Sequence, residues 1–274
     1  MFAKTISTLG LCLALACISI QAAPLSFESK TVKAKACFLD KNKKRKCNEK
    51  IVTYPITGDK YLDEIDIKNH WFEGQLPTEA SIKAELQKIP HILENIKEYV
   101  VPDDTCTQHL EEDSIKLEGF TPNYAFFSRY KEAGCTSKDS STYIIIRQRN
   151  QSDWEPFILV DMITPEQEET KIFTALPPKL IHIQKEAFIK QALQIKDLEV
   201  KEDDLRQHLE HKFYGTQDFL PAKDSMVFVF DTGYANNPFD RVIKVAIPLS
   251  DLQGIFKPEF LREIEQYTPR PEKP

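Results

Sequence analysis

Cys37 and Cys47 flank a turn-like segment, FLDKNKKRK, in which Lys41–Lys46 places five cations in six positions. The chain before it, Ser26–Lys35, reads as a strand. The chain after it returns as a second strand, Ile51–Ile56, with Pro55 at its end. Two strands and a short turn make a hairpin, and facing positions near the turn bring two sulfurs within bridging distance. The pattern therefore predicts a Cys37–Cys47 disulfide closing the base of a cationic loop.

Whether cysteines bridge depends on compartment. Met1–Lys4 is a short basic segment, Leu9–Ile20 is an apolar run too short to span a bilayer comfortably, and Ile20-Gln21-Ala22 offers a small-residue cleavage site. Residues 1–22 are thus expected to be a bacterial-type secretory signal, with a periplasmic or secreted mature chain starting at Ala23. A membrane anchor is disfavoured because nothing apolar continues the run. Lipoprotein processing at Cys17 is disfavoured because Leu is missing at the usual third position before it. Cleavage removes Lys4 and no acid, moving the formal charge from −6 to −7. Four of the six cysteines remain, and the preferred pairing is Cys37–Cys47 with Cys106–Cys135. A tetrathiolate zinc site is the competing reading, and it lacks a CxxC pair.

The rest of the chain reads as alternating groups of helices and strands. Asp59–Phe72 and the segment opening at Thr78 have helical spacing, and Pro90 should kink the second. Asn123–Tyr130 and Thr142–Arg149 are rich in aromatic and β-branched residues, and Phe157–Asp161 reads as a shorter strand. Helical patterns follow at Pro165–Leu176, Lys179–Gln194 and Glu202–Phe213. Ser225–Asp231 is apolar on both faces, as in a central strand. Arg241–Ile247 alternates, and Pro258–Gln266 is a closing helix. This order lacks the regular βαβα alternation of a doubly wound sheet. It predicts an α+β fold of antiparallel sheets packed by helices, in two successive subdomains.

Composition limits the chemistry. The acidic balance argues against a nucleic-acid partner, which needs a basic face, and favours a basic partner. The eight glycines include no phosphate-cradling loop and no nucleophile elbow. His208 and His211 lie three apart rather than in an HExxH arrangement, and their charged surroundings suggest a solvated helix face. The runs Asp103-Asp104, Glu111-Glu112-Asp113 and Asp203-Asp204 read as solvated acids. Asp231-Thr232-Gly233 matches the aspartic-protease triplet but lacks a flap pattern, so it reads as a turn. No catalytic residue, metal ligand or cofactor is therefore expected. Lys43, Lys44 and Arg45 read as a solvated hairpin tip, or as a contact for an anionic envelope component.

The stretch Asp218–Phe260 resembles the C-terminal domain of the extracellular part of RsiV-type anti-sigma factors. The matching features are the strand Val227–Phe230, Tyr234, the run Val245-x-Ile247-Pro248-Leu249-Ser250-x-Leu252, and Lys257-Pro258-Glu259. Tyr130–Gly134, Tyr143–Arg149 and Phe157–Met162 follow the same family's order, and Thr53-Tyr54-Pro55 resembles the start of its companion domain. That domain pair also accompanies PdaC-like peptidoglycan deacetylases. The resemblance implies a companion subdomain at 23–120 and an RsiV-like domain at 121–267, leaving 268–274 as a disordered tail. Glu132-Ala133-Gly134-Cys135 stands where the family has a turn with His, and no sigma-binding segment or membrane helix divides the chain.

What the resemblance implies is a non-catalytic envelope binding protein, with lysozyme, a basic protein, as the concrete partner. The implied surface comprises Tyr130 and the following loop, together with Asp231, Tyr234, Asn236, Asn237 and Phe239. A periplasmic enzyme acting on peptidoglycan or another glycan is one alternative, and a glycan-binding or structural accessory module is another.

Overall fold

The computed structural model describes residues 24–39, 43–88, 109–133, 140–150, 153–164, 176–210, 212–231, 237–239 and 241–271. Strands β1 (Glu28–Leu39) and β2 (Arg45–Ile56) form the expected hairpin. Cys37 faces Cys47 in its register and is bonded to it, with Cα atoms 4.0 Å apart. After β2, the Asp63 carboxylate accepts from the amides of Thr57 and Gly58, and Asp59 caps Tyr61 and Leu62. These caps start a wide helix, Leu62–Trp71, followed by Gly74 at φ 87°. Helix α1 (Glu79–Leu86) begins with a reciprocal Thr78–Ser81 capping box. Pro90 and Cys106 lie outside the described residues, as do residues 165–175.

Strands β3 (His109–Phe120), β4 (Tyr124–Ala133), β5 (Ser140–Asn150) and β6 (Asp153–Pro156) extend the same sheet in the order β1-β2-β3-β4-β5-β6. The pairs are antiparallel except β2–β3, which is parallel. Side chains alternate between the two faces. One face turns Val32, Ala34, Ala36 and Val52 onto Ile82 and Leu86 of α1, and Ile115, Ala125, Phe127 and Ile146 onto Leu62 of the wide helix. The other face turns Tyr124, Phe126 and Ile145 into a second, larger core.

That second core is built by α2 (Pro178–Gln194), α3 (Glu202–Leu209), a three-stranded sheet and α4 (Pro258–Ile264). The sheet orders β7 (Phe219–Ala222), β8 (Ser225–Phe230) and β9 (Ile243–Pro248) antiparallel, with β8 central. This centrality explains the doubly apolar SMVFVF run. Gln184 on α2 is fully buried and clamps the amide and carbonyl of Thr216 at 2.8 and 3.0 Å. The molecule is thus α+β, two sheets packed by helices in two subdomains.

Four details depart from the sequence reading. β3 was hidden by its acids: Asp113 is buried against Arg129 (2.6 and 2.8 Å) and Glu111 pairs with Lys50 (2.8 Å). Leu159–Met162, within the expected strand Phe157–Asp161, is a 3-10 turn, because Leu159 and Met162 must both point inward. The expected boundary at 120/121 falls in the β3–β4 turn, so the first sheet runs across it. The expected disordered tail is a correction for its first residues. Thr268–Pro269 pairs with β3 as β10, and Arg270 donates to the carbonyls of Leu117 and Phe27, giving edge backbone its hydrogen-bond partners.

Candidate binding face at the sheet junction

The register of the first sheet sets one row of hydroxyl side chains across five strands: Thr31, Thr53, Ser114, Tyr130 and Ser141. The Thr31 and Thr53 hydroxyls lie 3.1 Å apart, which places both on the same face. This is the face that carries Tyr124, Phe126 and Ile145 farther along β4 and β5. The second subdomain covers that apolar end. At the polar end, Asp231 leaves β8 and its carboxylate accepts from the Ser141 amide at 3.4 Å. Asp231 thus reaches the backbone of Ser141, the register partner of Tyr130.

The junction carries charges of both signs, with the exposed Lys116 on the same face as Glu112 and Ser114. Glu112 faces Glu132 directly in the β3–β4 register, one pair removed from Ser114 and Tyr130 on the same face. Like charges directly opposite each other across strands repel. Asp218, at the open end of the β7–β8 hairpin, lies within electrostatic reach of Asp231. Burial and then the Asp231 charge push its carboxyl up to about 6. Burial, followed by the charges of Glu118, Asp218 and Asp231, also raises the Tyr143 phenol. Ser128 donates to Glu118 beside it. The face thus carries two pairs of neighbouring carboxylates, Glu112–Glu132 and Asp218–Asp231, together with the exposed Lys116.

Other predicted residues are placed differently. Asn237 is buried, and its amide donates to Phe230 O (3.0 Å) and Arg241 O (2.8 Å) while its oxygen accepts from Phe239 N. It ties the loop to β8 and has no surface to offer. Phe239 packs on the second core with its ring stacked on Phe188 at 6.2 Å. Asn237 is thus a residue that holds the loop, while Phe239 is partly buried. Tyr234, Asn236, Cys135 and His211 lie outside the described residues. Lys43, Lys44 and Arg45 are exposed at the β1–β2 tip, with Lys43 at φ 59°. His208 is exposed on α3. Among the described residues, no group of three or more His, Cys, Asp or Glu is placed to hold a metal ion.

Sequence reasoning missed Glu112, Glu132 and Asp218. The available signal was the alternation Glu112, Ser114, Lys116 opposite Asp113, Ile115, Leu117, which marks a half-buried strand rather than a solvated run.

A DUF3298-family protein from Bacteroides fragilis superposes with a TM-score of 0.55, covering 88% of this chain and 97% of that one at 14% identity. The two share a fold. A DUF3298-family protein from Pseudomonas aeruginosa gives a TM-score of 0.49 at 13% identity, covering 85% and 95%. No protein-family profile and no curated protein sequence matches the chain. At these identities the likeness speaks for the DUF3298-type fold alone. Among the described residues, no helix is long and apolar enough to cross a membrane.

Proposed function

We propose that this chain is an exported, envelope-associated binding protein that recognises a basic protein partner, in its most concrete form lysozyme. The observation that supports the reading is that Asp231 docks on Ser141, the register partner of Tyr130, on a face that also carries the carboxylate pairs Glu112–Glu132 and Asp218–Asp231. The RsiV-type resemblance points to the same two segments from sequence. A cationic side chain beside Glu112 and Glu132 would replace a repulsion by attractions, and the net negative charge would speed encounter.

The test is the affinity of the chain for lysozyme at low and high ionic strength. The expected result is a complex at micromolar concentration in low salt that weakens as salt rises. Asp231→Asn and the double change Glu112→Gln with Glu132→Gln should each weaken it by about 5-fold or more. No complex at micromolar concentration in low salt removes the lysozyme reading.

A second reading, hydrolysis of an envelope glycan, is favoured by one observation. Asp218 and Asp231 are neighbouring carboxylates, and the Asp218 carboxyl is held near neutrality. It predicts turnover that Asp218→Asn abolishes. Turnover unchanged in both Asp218→Asn and Asp231→Asn counts against it.

A further inference from the structure

At the other end of the β4–β5 pair from Tyr130 and Ser141 lies a separate cleft of about 370 Å3. Its floor is aromatic and thioether. Tyr124 packs edge-on against Phe260 (5.7 Å between ring centroids), and its hydroxyl meets Met162 Sδ at 3.7 Å. One wall is β5, which presents Arg147 opposite Tyr124 in the register, with Arg149 two residues on. The other wall is α4 and the 3-10 turn, which present Glu259, Glu263 and Asp161.

The walls differ in sign, yet they do not close on each other. Glu263 is already held, accepting from the Asn123 amide at 2.7 Å and from its side chain at 3.0 Å. Lys257 is also held, donating to Asp161 O at 2.6 Å. Arg149 makes a long pair, at 3.8 Å, with Glu155, the register partner of Arg147 on β6. Arg147 and Glu259 are exposed and form no hydrogen bond or ion pair with any described residue. Among the described residues, Arg147 and Glu259 face one cleft without bonding to each other, which leaves room for a ligand carrying both charges. The cleft is lined mainly by polar and charged side chains over Tyr124, Met162 and Phe260, which suits a small charged ligand with a short apolar part.

We infer that this cleft binds a zwitterionic ligand of dipeptide size. Its carboxylate meets Arg147, its ammonium meets Glu259, and its aliphatic part lies on Tyr124 and Met162. Arg suits a carboxylate because its planar fork can donate two parallel hydrogen bonds. This inference is independent of the junction face, since the two sites share no residue.

The experiment is NMR or calorimetric titration of the whole chain with L-alanyl-L-alanine, its N-acetyl form and its C-terminal amide. The free dipeptide should bind saturably, and each blocked form should bind about 5-fold more weakly. Arg147→Ala should lower dipeptide affinity by a similar factor and erase the preference for the free carboxylate over the amide. Glu259→Gln should erase the preference for the free amine over the N-acetyl form. Both side chains are exposed, so circular dichroism should be unchanged. Equal binding of the three forms, a preference that survives in the matching variant, or no saturation up to about 10 mM would overturn the assignment.

Discussion

Asp218 and Asp231 stand at the open end of the same β-hairpin, one just before β7 and the other just after β8. Burial and the second carboxylate together lift the Asp218 carboxyl to about 6. A carboxyl raised in the folded state binds its proton more tightly there than in the unfolded chain. Its contribution is therefore favourable below pH about 4 and is lost as pH rises through about 6. Asp218→Asn should raise stability at pH 7 by about 1–3 kcal/mol and flatten the stability profile between pH 4 and 6. Urea unfolding across that range checks both.

Lys50 is buried between two acids on different elements, Glu85 of α1 at 2.7 Å and Glu111 of β3 at 2.8 Å. Burial alone would lower its ammonium pKa, but the hydrogen bonds and charges of Glu111 and Glu85 outweigh that, and the net shift is upward. The stabilisation is complete below the unfolded lysine pKa near 10.4 and is lost as pH rises through the still higher folded value. Lys50→Met should cost about 2–4 kcal/mol at pH 7, because it leaves two carboxylates facing each other without their cation. Chemical denaturation at pH 7 measures the loss.

Arg129 holds the buried Asp113 carboxylate through two hydrogen bonds, from Nε at 2.8 Å and from Nη2 at 2.6 Å. Arg129→Ala should destabilise by about 3 kcal/mol, since Lys131 at 3.9 Å is a poor replacement. Adding Asp113→Asn to that variant should restore part of the loss. A double-mutant cycle by thermal unfolding measures the coupling.

The Cys37–Cys47 bond closes a ten-residue separation. Its reduction should lower stability by about 2–3 kcal/mol, mostly by freeing the unfolded chain. Denaturation with and without reductant checks this, and Cys37→Ser with Cys47→Ser should match the reduced protein.

Gly119 lies against the Tyr267 ring, where a Cβ would overlap the ring carbons. The Tyr267 hydroxyl also donates to Glu118 O at 2.9 Å. Gly119→Ala should therefore release the C-terminal segment from β3 and cost about 1–3 kcal/mol. Faster proteolysis after α4 would report it.

Much of the local structure was legible in the chain. The hairpin and its disulfide follow from cysteine spacing around a cationic turn. The central position of β8 follows from SMVFVF being apolar at every other residue and between. Thr78 with Ser81 marked a helix start. These signals are short-range, and each depends on residues within about a dozen positions. β3 was not legible because its charges find partners 16 and 61 residues away: Asp113 needs Arg129, and Glu111 needs Lys50. A carboxylate in isolation looks solvated, and only its partner shows that it is buried.

The candidate face divides in the same way. By itself the sequence determined the α+β class, the disulfide hairpin, and Tyr130 and Asp231 as residues to watch. Tertiary structure alone decided that Asp231 reaches Ser141 beside Tyr130 in the register, that Glu112 faces Glu132, that Asp218 neighbours Asp231, and that Asn237 ties its loop to β8. Residue type and spacing govern backbone conformation locally. A binding face is a meeting of distant strands, and its membership depends on register and on which side of a sheet the second subdomain covers.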